Sequence, residues 1–564
     1  MISINGINWK MNNIPERLIL KHKQNFKISY LLSKIFLDKN YTDEEIYNSI
    51  SKNFQNKIEY KNKDFEYASY LLIDNLKKKK KILIFGDYDV DGYSSTYLLY
   101  DYFKNQNIDC NYYIPDRLID GYGPNKLLLK KLIKNNNYGL IIFVDCGTNS
   151  INEIKYLEYK GLSVIVIDHH QIHDHKKFKK SIIINPLKNS LFKDSNLFCA
   201  TSLVYFFIKY LIKIFKTKKK IDLNKYLFFV AIATICDQMP LRHLNKSIVI
   251  NGLQNFSWNN FINLKKLIKV NHKLRTSDIS FTLGPILNSA SRLGYPNLPF
   301  RFLIENKNTI INKTIKKLLM LNEKRKKIQN KNIDLLNINE DENKNKIIFK
   351  FKENINEGLL GIIAAKFVEF YNKPSFILTN SGNVIKCSSR SINGYDIGNI
   401  FYLAAKKNII IRGGGHSMAG GCTLKKDRLN DFKNFLNLYY IKKFNIFENI
   451  KFYISEQKLD SLLKFAKQDL QYLEPLGNNN TSPLFFLRSN KIIKIKIIND
   501  LHLQLIIKNK NNKSCVCFAF HSIGTKLGHL LMNYKNEIDL IVQINNKFIQ
   551  KNSDFNLIIK DAIA

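Results

Sequence analysis

The chain has 564 residues, 45% of them apolar, and 88 Lys and Arg against 47 Asp and Glu give it a formal net charge of +41. At roughly 150 residues per domain this length makes about three to four domains with ample core material, which excludes wholesale disorder. No apolar run approaches the roughly 18 residues of a membrane span, no export-signal pattern is visible, and the eight cysteines form neither CxxC pairs nor a Cys/His cluster, so disulfide frameworks and structural zinc are excluded and a cytoplasmic protein is expected.

Lys, Ile and Asn are abundant everywhere, so runs such as Lys77–Lys81 read first as solvated surface. The overall excess of positive charge still favours a polyanionic partner, nucleic acid above all. Residues 1–60 carry mixed helix and loop patterning. From about 66 to 250, β-branched runs alternate with helix-length segments: KILIF (81–85), GLIIFVD (139–145), LSVIVID (162–168) and SIIIN (181–185). That alternation predicts βα units around a parallel sheet. LFFVAIATIC (227–236) reads as a buried helix. Residues 309–336 place apolar side chains at 311, 315, 318, 321, 328 and 335 with neither Pro nor Gly, which predicts a long basic helix joining two domains. A second α/β segment follows, with IIFKF (347–351), a helix over LGIIAAKFVEFY (360–371) and SFILT (375–379). It ends in RGGGHSMAGG (412–421), which taken alone is a flexible turn. After about 450, KIIKIKII (491–498), HLQLIIK (502–508) and EIDLIVQI (537–544) predict a small β-barrel. The expected divisions are 1–65, 66–300, 301–340, 341–445 and 446–564.

The densest chemistry is GDYDVDG (86–92), which sets Asp87, Asp89 and Asp91 directly after a strand. Carboxylates this close repel unless a cation or protons neutralise them. An EF-hand is excluded, because its twelfth position is Leu98 and a strand rather than a helix precedes the loop. Asp145 ends GLIIFVD, Asp168 ends LSVIVID and is followed by His169 and His170, and Asp237 follows the apolar run ending at Cys236. One such Asp reads as a helix cap, and paired histidines read as surface or core residues. Their repetition is what matters, since every strand of a parallel sheet ends on the same edge, where Asp89, Asp91, Asp145 and His169 would converge. Carboxylates with imidazole and no thiolate suit Mn²⁺ or Mg²⁺, and two such ions would clamp a phosphoryl group, activate water and stabilise the leaving oxygen.

With these residues assembled, the chain resembles the DHH phosphoesterase superfamily, named for the triplet seen here as Asp168-His169-His170. Its four amino-terminal motifs are GDYDVDG, VDCG (144–147), IDHH (167–170) and ATICDQMPL (233–241). Over most of 80–564 the chain is similar to the superfamily's exonuclease branch, through YIPDRLIDGYG (113–123), LGPILNSASRLG (283–294), SSRSINGYDI (388–397), GGGHSMAGG (413–421) and LEPLGNNNTSPLF (473–485). The resemblance implies a parallel-sheet α/β phosphoesterase domain, a connecting helix, a second α/β domain that grips substrate, and a carboxyl-terminal β-barrel of the OB fold.

It also implies roles. Asp89, Asp91, Asp145, His169 and Asp237 would hold two divalent ions, Mn²⁺ or Mg²⁺, with Asp145 bridging them and Asp87 either a further ligand or a support. Asp168 would orient the histidines and His170 would contact the scissile phosphate. Ser388 and Arg390, helped by Arg117, would hold a terminal 5′ phosphate. Asn288, Arg292, Gly414, Gly415 and His416 would complete the substrate contacts. The implied activity is 5′→3′ hydrolysis of single-stranded DNA to 5′ mononucleotides in DNA repair and recombination, by a monomer working with a single-strand-binding protein and a repair helicase, away from membranes. The alternatives are a phosphodiesterase of the same superfamily acting on short oligoribonucleotides or small nucleotides, a pyrophosphatase, and a non-catalytic single-strand-binding scaffold. The chain departs from the pattern at Phe85, where another metal branch has His, at Ile355 and Asn356, where many relatives carry Trp-His, and at Cys387, where glycine is common.

Overall fold

The computed structural model describes the whole chain except residues 52–61, 135, 173–177, 216–220, 269–273, 337–344, 393, 444–449, 535, 546–554 and 564. Its chain divides into two compact units, one of Lys57–Met239 with Ser247–Asn445, the other of Met1–Asn56 with Pro240–Lys246 and Ile446–Ala564. No described helix is long and apolar enough to cross a membrane. Of the expected divisions, 65/66 and 300/301 fall inside the helices Lys63–Lys77 and Asn297–Ile304, while 340/341 and 445/446 lie outside the described residues.

The first unit is built on a five-stranded, all-parallel sheet in the spatial order Cys110–Tyr113, Lys81–Phe85, Tyr138–Val144, Ser163–Ile167, Ser181–Ile184. Four of these strands are the β-branched runs read from the sequence. The fifth, CNYY at the edge, was not anticipated, because its four residues are mostly half-buried and carry no apolar pattern. In chain order the arrangement is 2-1-3-4-5, a doubly wound topology whose switch point lies between the first and third strands, beyond Phe85 and Val144. The helix Leu223–Cys236 is buried from Phe228 to Ile235, as its apolar run predicts.

The connecting helix runs from Asn308 to Leu336, 29 residues or about 44 Å at 1.5 Å per residue. Ile311, Ile315, Leu318 and Leu321 are buried as expected, but Leu335 is exposed and Leu336 takes its place. The seam drifts because 3.6 residues per turn does not divide the spacing evenly.

Beyond it, a five-stranded sheet runs Arg412–His416, Ala419–Lys425, Val384–Arg390, Ser375–Ser381, Ile348–Phe351. One face packs on the helix Leu360–Tyr371 through Leu360, Ile363, Phe367 and Ile377; the other packs on Ile397–Lys406 through Phe376, Cys387, Ile400 and Phe401. The glycine-rich run is a β-hairpin of this sheet rather than a flexible turn. Its glycines let a helix approach: a Cβ on Gly420 would lie 2.7 Å from Ile397 Cγ2 and 2.9 Å from Phe401 Cε2. Gly420→Ala should therefore cost about 1–3 kcal/mol in denaturant unfolding, as overpacked core sites do. An unchanged midpoint would show that the helix is not seated on the hairpin.

In the second unit, Leu484–Ile498, His502–Lys508, Ser514–Ala519, Asn556–Ile563 and Ile538–Asn545 pair in a ring that closes through the pairing of the first and last, a five-stranded barrel with Ser455–Gln457 added parallel to its longest strand. Residues 1–56 belong here. Leu32, Ile35, Phe36 and Ile46 share the barrel core with Leu459, Leu462 and Leu540, and the strand Asn8–Met11 pairs with Ile450–Tyr453.

Candidate metal centre and anion-binding groups

Three side-chain sets in the first unit each bring potential ligand atoms within 4.8 Å of one another: Asp87, Asp89 and Asp145; Asp91, His169 and Asp237; and Asp145, His169 and His170. Asp87, Asp89 and Asp91 come from the loop and helix start after the first strand, Asp145 from the end of the third, and His169 from the end of the fourth, so the switch point gathers them. His169 Nε2 lies 3.4 Å from Asp145 Oδ1, 3.5 Å from Asp237 Oδ2 and 3.7 Å from Asp91 Oδ2. Asp145 and His169 are each common to two of the sets, and of the two only Asp145, with two carboxylate oxygens, could serve two ions.

The simple capping readings separate cleanly. Asp89 does cap the helix Val90–Asn105, its Oδ1 accepting from Asp91 N at 2.9 Å and Gly92 N at 3.1 Å. Asp145 caps nothing, since the next helix begins at Ile151. Its backbone is left-handed at φ 60°, a strain of about 1–3 kcal/mol for a non-glycine residue. Asp237 sits at a helix carboxyl end, where a carboxylate opposes the helix dipole. Neither placement has a folding rationale.

Asp91 is fully buried, and its carboxylate accepts from Ala200 N at 2.7 Å, Thr201 N at 2.8 Å and Thr201 Oγ1 at 2.6 Å, at the start of the helix Ala200–Ile214. By contrast Asp87 Oδ1 and Asp145 Oδ1 are buried and accept no hydrogen bond. Burial first, and then neighbouring carboxylates, push the pKa values of Asp87, Asp145 and Asp237 well above the ordinary carboxylate range. Orphaned carboxylate oxygens facing an imidazole, with no thiolate in any of the sets, fit hard divalent cations.

Asp168 lies behind the histidines. It accepts from His170 Nδ1 at 2.7 Å, His169 N at 2.8 Å and Thr148 N at 3.0 Å. Burial opposes its charge, but His170 beside it holds the carboxyl well below its usual range. Burial likewise opposes charging His170, and Asp168 overrides it to raise the imidazole to about 9. His169 is pushed down by burial and by His170. Burial and the same two rings push His416 down to about 3; its ring lies 5.7 Å from that of His169 and 5.1 Å from that of His170.

The residues expected to hold phosphate also converge in this unit. Ser388 and Arg390 share one face of the strand Val384–Arg390, over the first turn of the helix Leu360–Tyr371, where a Cβ on Gly361 would lie 3.0 Å from Ser388 Oγ and 3.1 Å from Arg390 Nη2. A helix amino terminus beside a guanidinium has the charge to accept an anion. Arg117 stacks over the Tyr88 ring at 5.3 Å, and Arg292 Nη1 donates to Gly358 O at 2.8 Å. Burial, then Arg117 and Arg390 nearby, lower Arg292 to about 9. Asn288 Oδ1 is buried without a hydrogen-bond partner. Gly414 and Gly415 lie in the edge strand that ends at His416.

The departures have local explanations. Phe85 packs edge-on against Phe143 in the sheet core. Asn356 Oδ1 accepts from Gly358 N at 2.9 Å, and Cys387 is buried on the face opposite Ser388. Several supporting residues were not singled out from sequence. Asn185, fully buried, donates to Thr148 Oγ1 at 3.0 Å and His170 O at 2.9 Å, and its place after a strand was the available signal. Tyr122, within the YIPDRLIDGYG motif, sets its hydroxyl 3.3 Å from His170 Nδ1. Thr201 gave no such signal.

Fold and site together define a class: a doubly wound α/β domain with a carboxylate–imidazole centre at its switch point, followed by a second α/β domain and an OB-type barrel. Family descriptions match in that order, with "DHH family, N-terminal domain" over residues 81–234, "DHHA1 domain" over 343–442 and "RecJ OB domain" over 456–561. The chain thus carries a DHH-family N-terminal domain followed by DHHA1 and RecJ OB domains, in that order. It is 27% identical over 464 residues to the single-stranded-DNA-specific exonuclease RecJ of Bacillus subtilis, a match covering 78% of this chain and 57% of that relative. It is 24% identical over 430 residues to the RecJ of Thermus thermophilus, covering 75% of this chain and 61% of that one. The chain thus spans about three-fifths of the length of these curated relatives. In structure it is similar to RecJ from Thermus thermophilus in complex with Mn²⁺, with a TM-score of 0.78 at 20% identity, covering 99% of this chain and 79% of that one.

The raised carboxyl groups set a testable linkage. Their folded pKa values exceed the unfolded ones, so they contribute stability that is full below the unfolded carboxylate pKa and is lost as pH rises through the folded values. A divalent ion displaces those protons, so the rise in unfolding temperature produced by Mn²⁺ over EDTA should grow from pH 5.5 to pH 8 in scanning calorimetry. An Mn²⁺ effect independent of pH would reject metal binding at these carboxylates.

Proposed function

We propose that the chain is a divalent-metal-dependent exonuclease that hydrolyses single-stranded DNA from its 5′ end and releases 5′ mononucleotides, in DNA repair and recombination. One juxtaposition carries the reading. Within a single compact unit, Arg117 stands in the field of Asp87 and Arg292 in that of Asp89, with Arg390 beside Arg117, and none of the three guanidiniums forms an ion pair among the described residues. Two divalent ions, Mn²⁺ or Mg²⁺, held by Asp87, Asp89, Asp91, Asp145, His169 and Asp237, would supply activated water and neutralise charge on the reacting phosphate.

The chain's own groups supply the rest. Ser388, Arg390, Arg117 and the start of the helix Leu360–Tyr371 seat a terminal 5′ phosphate, which fixes the distance from strand end to scissile bond. Asp168 keeps His170 charged and aimed, so that it donates to a phosphate oxygen. His416, neutral, packs against both histidines. The barrel is the match to the RecJ OB domain and favours a strand over a small nucleotide, because such barrels track single strands by charge and stacking. We place the protein in the cytoplasm as a monomer, working with a single-strand-binding protein and a helicase.

The deciding assay is Mn²⁺-dependent digestion of matched single-stranded DNA, double-stranded DNA and short RNA, labelled separately at each end. Mononucleotides should leave the 5′ end of single-stranded DNA only. Preference for short RNA would move the protein to an oligoribonucleotide phosphodiesterase, and binding without cleavage would make it a scaffold. Asp145→Ala should lower turnover more than about a hundredfold while single-strand binding persists. Arg390→Ala should weaken action on 5′-phosphorylated ends about tenfold or more and spare 5′-hydroxyl ends. Equal losses on both ends would reject the phosphate anchor.

A further inference from the structure

Away from the metal centre, the first unit holds an open cavity of about 460 Å³ between the helices Lys126–Ile133 and Ile151–Tyr159. Both helices pack on one face of the parallel sheet, through Leu128 and Leu129 on the first and Ile154 and Leu157 on the second. In such a sheet the helices run back against the strands, so their carboxyl ends lie at the edge where the strands begin. The cavity is at that edge. It is lined by Lys130, Lys134 and Asn136 near the end of one helix, by Tyr156 and Lys160 at the end of the other, and by Tyr138 at the start of a strand. That strand, Tyr138–Val144, leads to Asp145, about 23 Å away at 3.3 Å per residue, so the metal centre lies at the opposite edge.

An unpaired lysine is ordinary in a chain of net charge +41. Three around one concavity, with no carboxylate among the residues that line it, are a stronger feature. Lys126, Lys130, Lys134 and Lys160 form no ion pair among the described residues, whereas Lys81, at the start of the neighbouring strand, pairs with Asp109 at 3.6 Å. Helix carboxyl ends favour cations, and that simpler task accounts for part of the charge. Two ends bring about one negative charge between them, which leaves roughly two positive charges unmatched. Aromatic rings complete the lining. Tyr138 is buried, and its hydroxyl accepts from Asn111 Nδ2 at 2.9 Å, which fixes the ring. Tyr156 is half-buried, and Lys126 Nζ stands 5.4 Å from its ring centre. Aromatic rings among unmatched cations suit a ligand that carries both a planar ring and a phosphate. The volume exceeds the roughly 300 Å³ lower bound of small-molecule sites, so it admits one whole nucleotide.

We infer that this cavity is a nucleotide-binding site remote from the catalytic centre, with the base against Tyr138 and Tyr156 and the phosphate among Lys130, Lys134 and Lys160. The nucleotide is either a free mononucleotide or one residue of a single strand crossing the outer face. The first is the product of the reaction proposed above and to that extent rests on that reading; the cavity itself does not.

Calorimetric titration of the full chain with deoxyadenosine monophosphate in EDTA tests the site, in an Arg390→Ala background that removes the expected 5′-phosphate seat. A saturable site should remain. The double charge reversal Lys134→Glu, Lys160→Glu, at two exposed positions, should weaken it about tenfold or more. Tyr156→Leu should weaken the nucleotide about tenfold and leave the binding of inorganic phosphate unchanged. Absence of saturable binding, nucleotide binding that survives the charge reversal, or inorganic phosphate bound as tightly as the nucleotide each overturns the site. If Tyr156→Leu does not fold, the charge reversal and the phosphate comparison still decide it. The source is read in the same chain from a single-stranded oligonucleotide with a 5′ hydroxyl. Displacement of the nucleotide by that oligonucleotide, with its own affinity lowered about tenfold by the charge reversal, assigns the site to the strand. An oligonucleotide affinity that the reversal leaves unchanged assigns it to the free nucleotide. Because no titration needs turnover, an inactive chain would sink the nuclease reading and still leave the site tested.

Discussion

Mutual repulsion among Asp87, Asp89, Asp91, Asp145 and Asp237 is the constraint on which the rest of this structure turns. The chain has few acids for its size, yet it packs five carboxylates against two imidazoles at one sheet edge. Folding alone would not tolerate this. It is achieved by fixing four of them from different directions: Asp89 by a helix cap, Asp91 by the amides opening the helix Ala200–Ile214, Asp145 by a strained left-handed backbone, and Asp237 by the end of a buried helix. Fixed groups cannot relax away from one another, so burial and the mutual repulsion raise the pKa values of Asp87, Asp145 and Asp237, and protons or a cation would relieve the strain.

The same rigidity governs the histidines. Asp168 uses both oxygens on Thr148, His169 and His170, and Asn185 holds Thr148 and the carbonyl of His170. One imidazole is thereby kept charged and its neighbour neutral, although their rings lie 4.7 Å apart. Paired groups driven to different protonation states by their surroundings are what acid–base assignment requires. The negative centre is matched by guanidiniums from three separate segments, those of Arg117, Arg292 and Arg390, in a unit that forms no ion pair with any of them among the described residues.

The second unit solves a different problem. A barrel needs its core filled, and helices within residues 1–51 share in that core, while Asp561 accepts from Ser3 Oγ, Asn5 Nδ2 and Trp9 Nε1. Arg242 donates twice to Glu45 at 2.7 Å and stacks 4.1 Å over Tyr41, which binds Pro240–Lys246 into the same unit. That segment begins three residues after Asp237, so the chain passes from one unit to the other directly beyond a member of the carboxylate cluster.

Local pattern was enough to read the four apolar strands, the connecting helix, the barrel strands and the strand-end acids, because period and composition act over a few residues. Cys110–Tyr113 and Asn8–Met11 were invisible to it, being short strands defined only by the partner they pair with. The fate of the glycine run was equally hidden, since only the approach of Ile397 and Phe401 separates a packed hairpin from a loose turn. Sequence also placed acids at strand ends without saying which were caps; Asp89 is one and Asp145 is not, and that depends on where the following helix begins. The sequence by itself determined which acidic and imidazole side chains lie along the common sheet edge. The tertiary structure alone decided which oxygens remain unpaired, which imidazole is charged, and that Arg325, far along a helix, lines one cavity with Arg292, because these depend on distances between residues that no local pattern relates.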